Sequence, residues 1–515
     1  MLTQTLNQAN PLAQLQSTQL VHAFHEEENA YMFKHALTQD AAYQMLLVKQ
    51  RREIHRQVAR TIESLYANQL DDNAAILARH YLAAHDDAKT SEYSIRAGER
   101  AMQLYAFAEA RFHFSNAVDA LGRLPDELMN RRKKLTALIH LTHASAFAED
   151  PARNFARLAE AEKLAQSLIE QEPSIRQQLA QVYYWLGFMN LMRNETRTTH
   201  QYYQQAHELA QQVHDDRFTA QLALEFALVL NLQGRFGDAE PLIIESVTLM
   251  QNAGKPLEDV IALAQWGLAL AGRGNYAEGL KQAQDSLARV QSINFVYGIE
   301  VNNVLLAWIY FLGGDMIQSL QAAQQAVQLA QAAGDWIQVF TGSVFAAWAS
   351  SRLGQHSVAQ AIIAQIQAMV EKSNAQLVGM EVFMAAHAEI ELNANQIDKA
   401  LMLASLAVTA AQANAVVFAE GIAQRVWAQA LMARNATWDE IESHLIASLD
   451  AFEKGDVHLE VARTHLAWGK AVQAHGDANV AREHLEKAAA QFQTSGLATE
   501  LAQVRHLLDE VGVAS

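Results

Sequence analysis

Apolar residues recur at helical spacing along almost the whole chain, and short polar or glycine breaks interrupt that spacing at regular intervals. The breaks fall at Asn194, Gly234, Gly274, Gly314, Gly354, Asn395, Asn435 and Gly476, separated by 40, 40, 40, 40, 41, 40 and 41 residues. A second set follows about 20 residues after the first, at His214 with Asp215, Gly254, Asn294, Gly334, Asn374, Asn414, Gly455 and Gly496. Each unit therefore reads as two helices of about 16 residues, with Gly or Asn placed where a left-handed C-cap is needed.

Three positions per unit are small. Seven residues before the first break stand Gly187, Ala227, Gly267, Ala307, Ala347, Ala388, Ala428 and Gly469. Five after it stand Thr199, Ala239, Gly279, Ser319, Ala359, Ala400, Glu440 and Ala481; twelve after it, Ala206, Ser246, Ser286, Ala326, Ile366, Ala407, Ala447 and Ala488. Antiparallel helices approach to about 8 Å only over small side chains, so these positions predict where the two helices of a unit cross. Trp266, Trp427 and Trp468, eight before the break, are expected to point into the helix-pair core. The pattern is that of tetratricopeptide repeats lengthened to 40 residues. A break at Tyr105 extends it upstream, with Gly98, Ala110 and Ala117 at the small positions, and a less regular unit around His140–Leu168 follows Gly122–Glu127. The expected fold is all-α, a right-handed superhelical solenoid of about ten helical hairpins, with Leu497–Val511 as a capping helix.

Composition supports this reading. Six prolines in 515 residues leave helices uninterrupted. The absence of cysteine removes disulfides, thiolate nucleophiles and Cys-ligated metals. The N-terminus lacks the basic and apolar regions of a signal peptide, and a cytoplasmic location is expected. A net charge of −17 argues against a nucleic-acid partner, as do basic runs only four residues long at Lys49–Arg52 and Arg131–Lys134.

Residues 1–70 fall outside the repeat template and read as a separate helical segment, with the repeats occupying 71–515. Phe33–Leu47 and Arg51–Glu63 resemble the end of the winged-helix region of STAND signalling NTPases, the group that includes cyclase-linked ATPases and maltose-regulon-type activators. Ile76–Val118 is similar to the first tetratricopeptide repeats of the same group. The matching residues are Phe33, His35, Tyr43, Leu46, Arg52, His55, Ala59, His80, Tyr81, Ala97 and Gly98, positions the resemblance implies to be architectural. The chain departs from that group in having no G-x-x-x-x-G-K-[ST] phosphate loop; Gly272–Lys281 is glycine-rich but wrongly spaced. The resemblance thus implies the sensor half of such a regulator, either as its own protein or as the C-terminal fragment of an ATP-dependent regulator or nucleotide cyclase.

Catalytic and metal chemistry find little support. His22 with His25 before Glu26 and Glu28, and His140 with His143, lack zinc-site spacing, and no nucleophile elbow occurs. No enzyme activity, metal or cofactor is expected. The repeat geometry offers a binding surface instead. Positions about 13, 10, 6 and 3 before the break should line the concave wall, where Tyr184, Phe188, Trp308, Phe311 and Trp348 form an aromatic stretch and Arg425 and Arg463 a charged one. Two readings stand side by side: a groove for a protein, a peptide or a small-molecule effector, or aromatic packing between neighbouring helices. The expected function is a non-catalytic binding module of a signalling protein; a purely structural scaffold is the alternative.

Overall fold

The computed structural model describes residues 11–23, 31–252, 259–373 and 377–513. Gly254, Asn374, His25, Glu26 and Glu28 lie outside the described residues. Two compact units divide the chain, Met1–Leu164 and Ala165–Ser515.

The first unit opens with α1 (Pro11–Ser17) and a short antiparallel pair, β1 (Val21–Ala23) and β2 (Tyr31–Phe33), with Val21 opposite Phe33. The expectation of a wholly helical 1–70 is corrected here, because three-residue strands are too short to show an alternating pattern. Then come α2 (Ala36–Met45), α3 (Val48–Leu65), α4 (Ala74–Ala84), α5 (Asp87–Gln103), α6 (Phe107–Leu121), α7 (Leu128–Ser145) and α8 (Pro151–Leu168). Ala59, Leu77, Tyr81, Tyr93 and Ala97 share one core, where Tyr81 and Tyr93 stack at 5.6 Å and both donate to Glu63, at 2.6 and 2.5 Å. Tyr43, His55 and His80 form a hydrogen-bonded chain across α2, α3 and α4. Ala59, Tyr81, Ala97, Tyr43, His55 and His80, six of the positions behind the STAND resemblance, therefore act in packing this unit.

The second unit runs α9 (Ile175–Leu191), α10 (Thr196–Val213), α11 (Asp216–Gln233), α12 (Phe236–Asn252), α13 (Asp259–Gly272), α14 (Tyr276–Ser292), α15 (Val296–Leu312) and α16 (Met316–Ala333). It continues through α17 (Trp336–Arg352), α18 (His356–Ser373), α19 (Met380–Asn393), α20 (Ile397–Asn414), α21 (Val417–Ala433), α22 (Trp438–Glu453), α23 (His458–His475), α24 (Ala478–Thr494) and α25 (Ala498–Val513). All eight first breaks adopt positive φ, from 54° at Asn435 to 101° at Gly476. Two second breaks sit one residue later than expected, at Ala415 and Asp456. Asn414 and Gly455 are occupied otherwise: the Asn414 carbonyl accepts from Thr196 Oγ1 at 2.7 Å, and the Gly455 carbonyl accepts from Phe236 N at 3.0 Å.

The small positions lie at the helix crossings. Ser319 Oγ donates to the Ala307 carbonyl at 2.8 Å, and a Cβ added to Gly267 would stand 2.5 Å from the Gly279 carbonyl oxygen. One unit departs from the template. Thr437 and Glu440 form a capping box at the start of α22, which leaves Glu440 exposed and moves Ile441 and Ser448 to the crossing in place of Glu440 and Ala447. Gly267→Leu is expected to lower stability by about 1–3 kcal/mol through overpacking, while the exposed change Gln324→Glu is nearly silent. Urea unfolding of the two variants would contradict this crossing if their midpoints coincided.

Contacts beyond nearest neighbours set this array apart from an open solenoid. α10 touches α20, α11 touches α21 and α13 touches α23, each pair ten helices and hence five hairpins apart. Successive superhelical turns are zipped along this seam. Asn194 and Asn414 both donate to Glu381 Oε1, Arg197 donates to the carbonyls of Gln412 and Ala413, and His458 Nδ1 lies 2.8 Å from the Arg273 carbonyl. Gly234 lets the turns meet, since a Cβ there would lie 2.4 Å from Phe418 Cβ. Each repeat is therefore held by the facing superhelical turn as well as by its neighbours, and one contiguous apolar core runs from Leu191 to Val511.

Candidate functional site

The bore of the second unit is filled at its centre. Trp308 is 4% exposed and meets Phe236, Phe345 and Phe418 at ring distances of 6.1, 5.4 and 5.2 Å. Phe311 and Trp348 are fully buried, 4.2 Å apart, with the Arg352 guanidinium 4.1 Å over the Phe311 ring. Phe418 of α21, three hairpins beyond α15, fills the space beside Trp308 and Trp348, so these aromatics are covered by later helices of the same unit. An accessible wall at Trp308, Phe311 and Trp348 is thus corrected to interior packing. Trp266, expected in the helix-pair core, is only half-buried and donates to Glu240 at 3.2 Å.

The charged stretch is also internal. Arg425 donates to Glu460 Oε2 at 2.6 Å; Arg463 reaches Glu460 Oε1 at 2.7 Å, Glu500 at 2.8 Å and the Leu312 carbonyl at 2.7 Å. Arg352 binds Glu389 through Nε and Nη2 at 2.7 and 3.1 Å. Burial alone would raise Glu460, but the charges of Arg425 and Arg463 outweigh it and hold the carboxyl down at about 2. Three arginines face three glutamates, and Arg425 and Arg463 serve the fold as buried ion-pair partners.

At the first-repeat end of the second unit the aromatic residues are less deeply buried than at its centre. Tyr184 and Phe188 on α9 are half-buried, their rings 6.5 Å apart, and Trp185 stands edge-on to Phe188 at 5.5 Å. Tyr184 stacks on Tyr203 at 5.8 Å and 7° and hydrogen-bonds Gln221. Leu224 and Leu228 on α11 are also half-buried. Glu225 occupies the register that Trp185 holds one repeat earlier. Burial pushes its carboxyl up to about 7. The sequence placed Tyr184 and Phe188 on this surface but gave Glu225 no role.

A further cleft of about 340 Å³ opens in the first unit between α4 and α6, bordered by Ile76, Arg79, Leu82, Phe112 and His113. Among the described residues, no group of three or more His, Asp or Glu side chains could hold a metal ion, and no helix is long and apolar enough to cross a membrane.

The fold and this bore define a tetratricopeptide-like helical repeat protein. No protein-family model matches the chain. No curated protein matches it either. Among solved structures, it is similar to a Rap protein complexed with competence and sporulation factor, at 11% identity and a TM-score of 0.54, over 71% of this chain and 98% of that one. It also matches aspartyl phosphate phosphatase F from Bacillus subtilis at 8% identity and a TM-score of 0.44, over 71% of this chain and 95% of the other. A STAND protein with a tetratricopeptide repeat sensor from Pyrococcus horikoshii matches at 11% identity and a TM-score of 0.41, over 87% of this chain and 59% of that protein.

Proposed function

We propose that this chain is a non-catalytic regulatory module of a cytoplasmic signalling protein, binding a protein or peptide partner at the first-repeat end of its second unit. The observation that carries the reading is the contrast along one unit: Trp308 and Trp348 are sealed by the fold, whereas Tyr184 and Phe188 are only half-buried. Partly exposed aromatics in a concave site gain affinity when a partner completes their burial. The similar Rap structure, which holds competence and sporulation factor, supports a bound factor as a use of this fold.

Panning a random-peptide phage library on the purified chain tests the proposal. Enriched peptides should lose about 2 kcal/mol, roughly thirtyfold in affinity, on Phe188→Ala, with the circular dichroism melt little changed. No enrichment, or enriched peptides indifferent to Phe188→Ala, would count against it.

A second reading, the C-terminal part of an ATP-dependent regulator, is favoured by one surface. Leu37, Met45, Leu47 and Val48, on α2, at the start of α3 and in the link between them, are 82, 85, 69 and 55% exposed, an apolar face suited to a docked domain. A phosphate-loop module encoded in frame upstream of Met1 would support it, and a stop codon immediately upstream would remove it.

A further inference from the structure

The cleft between α4 and α6 of the first unit gathers polar groups that the fold itself leaves unused. Ile76, Arg79 and Leu82 follow one another at about one-turn spacing on α4, as Glu109, Phe112 and Asn116 do on α6, and the two sets border the same space of about 340 Å³. Among the described residues, the Arg79 guanidinium and the Asn116 side-chain amide have neither a hydrogen bond nor an ion pair. The Arg79 charge bears instead on His55 and His80, whose imidazoles burial lowers first and Arg79 lowers further. Glu109 has its Oε1 3.7 Å from Nε2 of His113, too far for a good hydrogen bond. Nor does His113 neutralise it: burial lowers that imidazole and outweighs the pull of the carboxylate, so the ring is uncharged at neutral pH. The same ring is buried with its Nδ1 lacking a hydrogen-bond partner. No ion pair joins Arg79 to Glu109, so a cation and a carboxylate on facing helices both keep their charge. Ile76 and Phe112 are 44 and 60% exposed, apolar area that a ligand would take out of water.

We propose that this cleft binds a free α-amino acid with an apolar side chain, its carboxylate held by Arg79 and Asn116, its ammonium by Glu109 and its side chain by Ile76, Leu82 and Phe112. Charge complementarity selects the class. A simple carboxylic acid would meet the Glu109 charge and a simple amine the Arg79 charge, whereas a molecule carrying both signs offsets each with its opposite. The guanidinium presents a planar fork that matches a carboxylate, and the Asn116 amide can add an N–H donor. A volume of about 340 Å³ lies at the small end of ligand sites, which suits a ligand of this size. All the lining residues belong to the first unit, so failure of this site leaves the peptide reading of the second unit untouched, and the reverse holds too.

Calorimetry on the full chain with L-leucine, leucinamide and N-acetyl-leucine tests this. Leucine should bind at least about tenfold more tightly than leucinamide, which lacks the carboxylate, and than N-acetyl-leucine, which lacks the ammonium. Glycine, which offers both charges without an apolar side chain, should also bind about tenfold more weakly than leucine. Arg79→Gln should erase the preference for leucine over leucinamide and keep the preference over N-acetyl-leucine; Glu109→Gln should do the reverse. Both side chains are exposed, so neither change should move the melting temperature, which separates lost recognition from lost folding. Failure of leucine and of phenylalanine to bind at millimolar concentration would overturn the proposal. So would equal affinities for the three leucine compounds, or preferences that Arg79→Gln and Glu109→Gln both leave intact. Tighter binding of leucyl-leucine than of leucine would assign the cleft to a peptide end and overturn the free amino-acid assignment.

Discussion

Trp348→Ala is expected to destabilise the second unit by about 3–5 kcal/mol, the range for emptying a large aromatic site in a closed core. Trp348 is fully buried against Phe311, Phe345 and Phe418, residues of three different helices, so its removal leaves a cavity the backbone cannot close without shifting α15, α17 and α21 together. Trp266→Ala should cost less, because part of that indole is already in water. Urea unfolding followed by far-ultraviolet circular dichroism gives both values. A larger loss for Trp266→Ala than for Trp348→Ala would restore the open-wall assignment and contradict the filled bore. Trp308→Ala belongs with Trp348→Ala: its contacts with Phe236 and Phe418 join hairpins far apart in sequence, so the loss should appear as lower stability of the whole unit.

The local periodicity of the chain is readable because each repeat obeys the same short-range rules. A residue in the left-handed conformation must be Gly, Asn or something tolerated at a cost, and the eight first breaks satisfy this without exception. Crossing positions are likewise local, since Gly267 and Gly279 are twelve residues apart in one hairpin. The superhelical pitch is not readable in this way. It accumulates from small rotations over five hairpins, and no single repeat carries a mark of it. Consequently the sequence shows an aromatic stripe at Trp308 and Trp348 but not the Phe418 that covers it more than 60 residues later. The seam explains two further departures. Asn414 and Gly455 have the residue types of a left-handed turn, yet their carbonyls are drawn to the facing turn and the positive φ passes to Ala415 and Asp456. Glu225 was hidden for a different reason: a lone carboxylate among helical residues reads as a solvated face until its surroundings are known.

Glu460→Gln is expected to lower stability at pH 7 by about 3–5 kcal/mol, because it leaves the Arg425 and Arg463 guanidinium groups inside the protein without their shared counter-charge. The residue is fully buried, and both of its oxygens accept charge-assisted bonds, from Arg425 at 2.6 Å and from Arg463 at 2.7 Å. Its pH dependence gives a separate signature. Burial opposes ionisation, but the two arginines win and the folded-state pKa lies near 2, below the ordinary 4.5. A carboxyl depressed by folding contributes stability that is fully present above the unfolded value and is lost as the pH falls through the folded one. Wild-type stability should therefore decline between about pH 4.5 and pH 2, while the variant lacks this component and the two curves converge in acid. Coupling to Arg425 separates the pair from general disruption: once Arg425→Leu has removed the first guanidinium, Glu460→Gln should cost less than it does alone. Urea midpoints measured at pH 7 and pH 3 for the two single variants and the double variant complete the cycle. Additive losses, or a Glu460→Gln variant as stable as wild type at pH 7, would show that the charged interior is not held by this network.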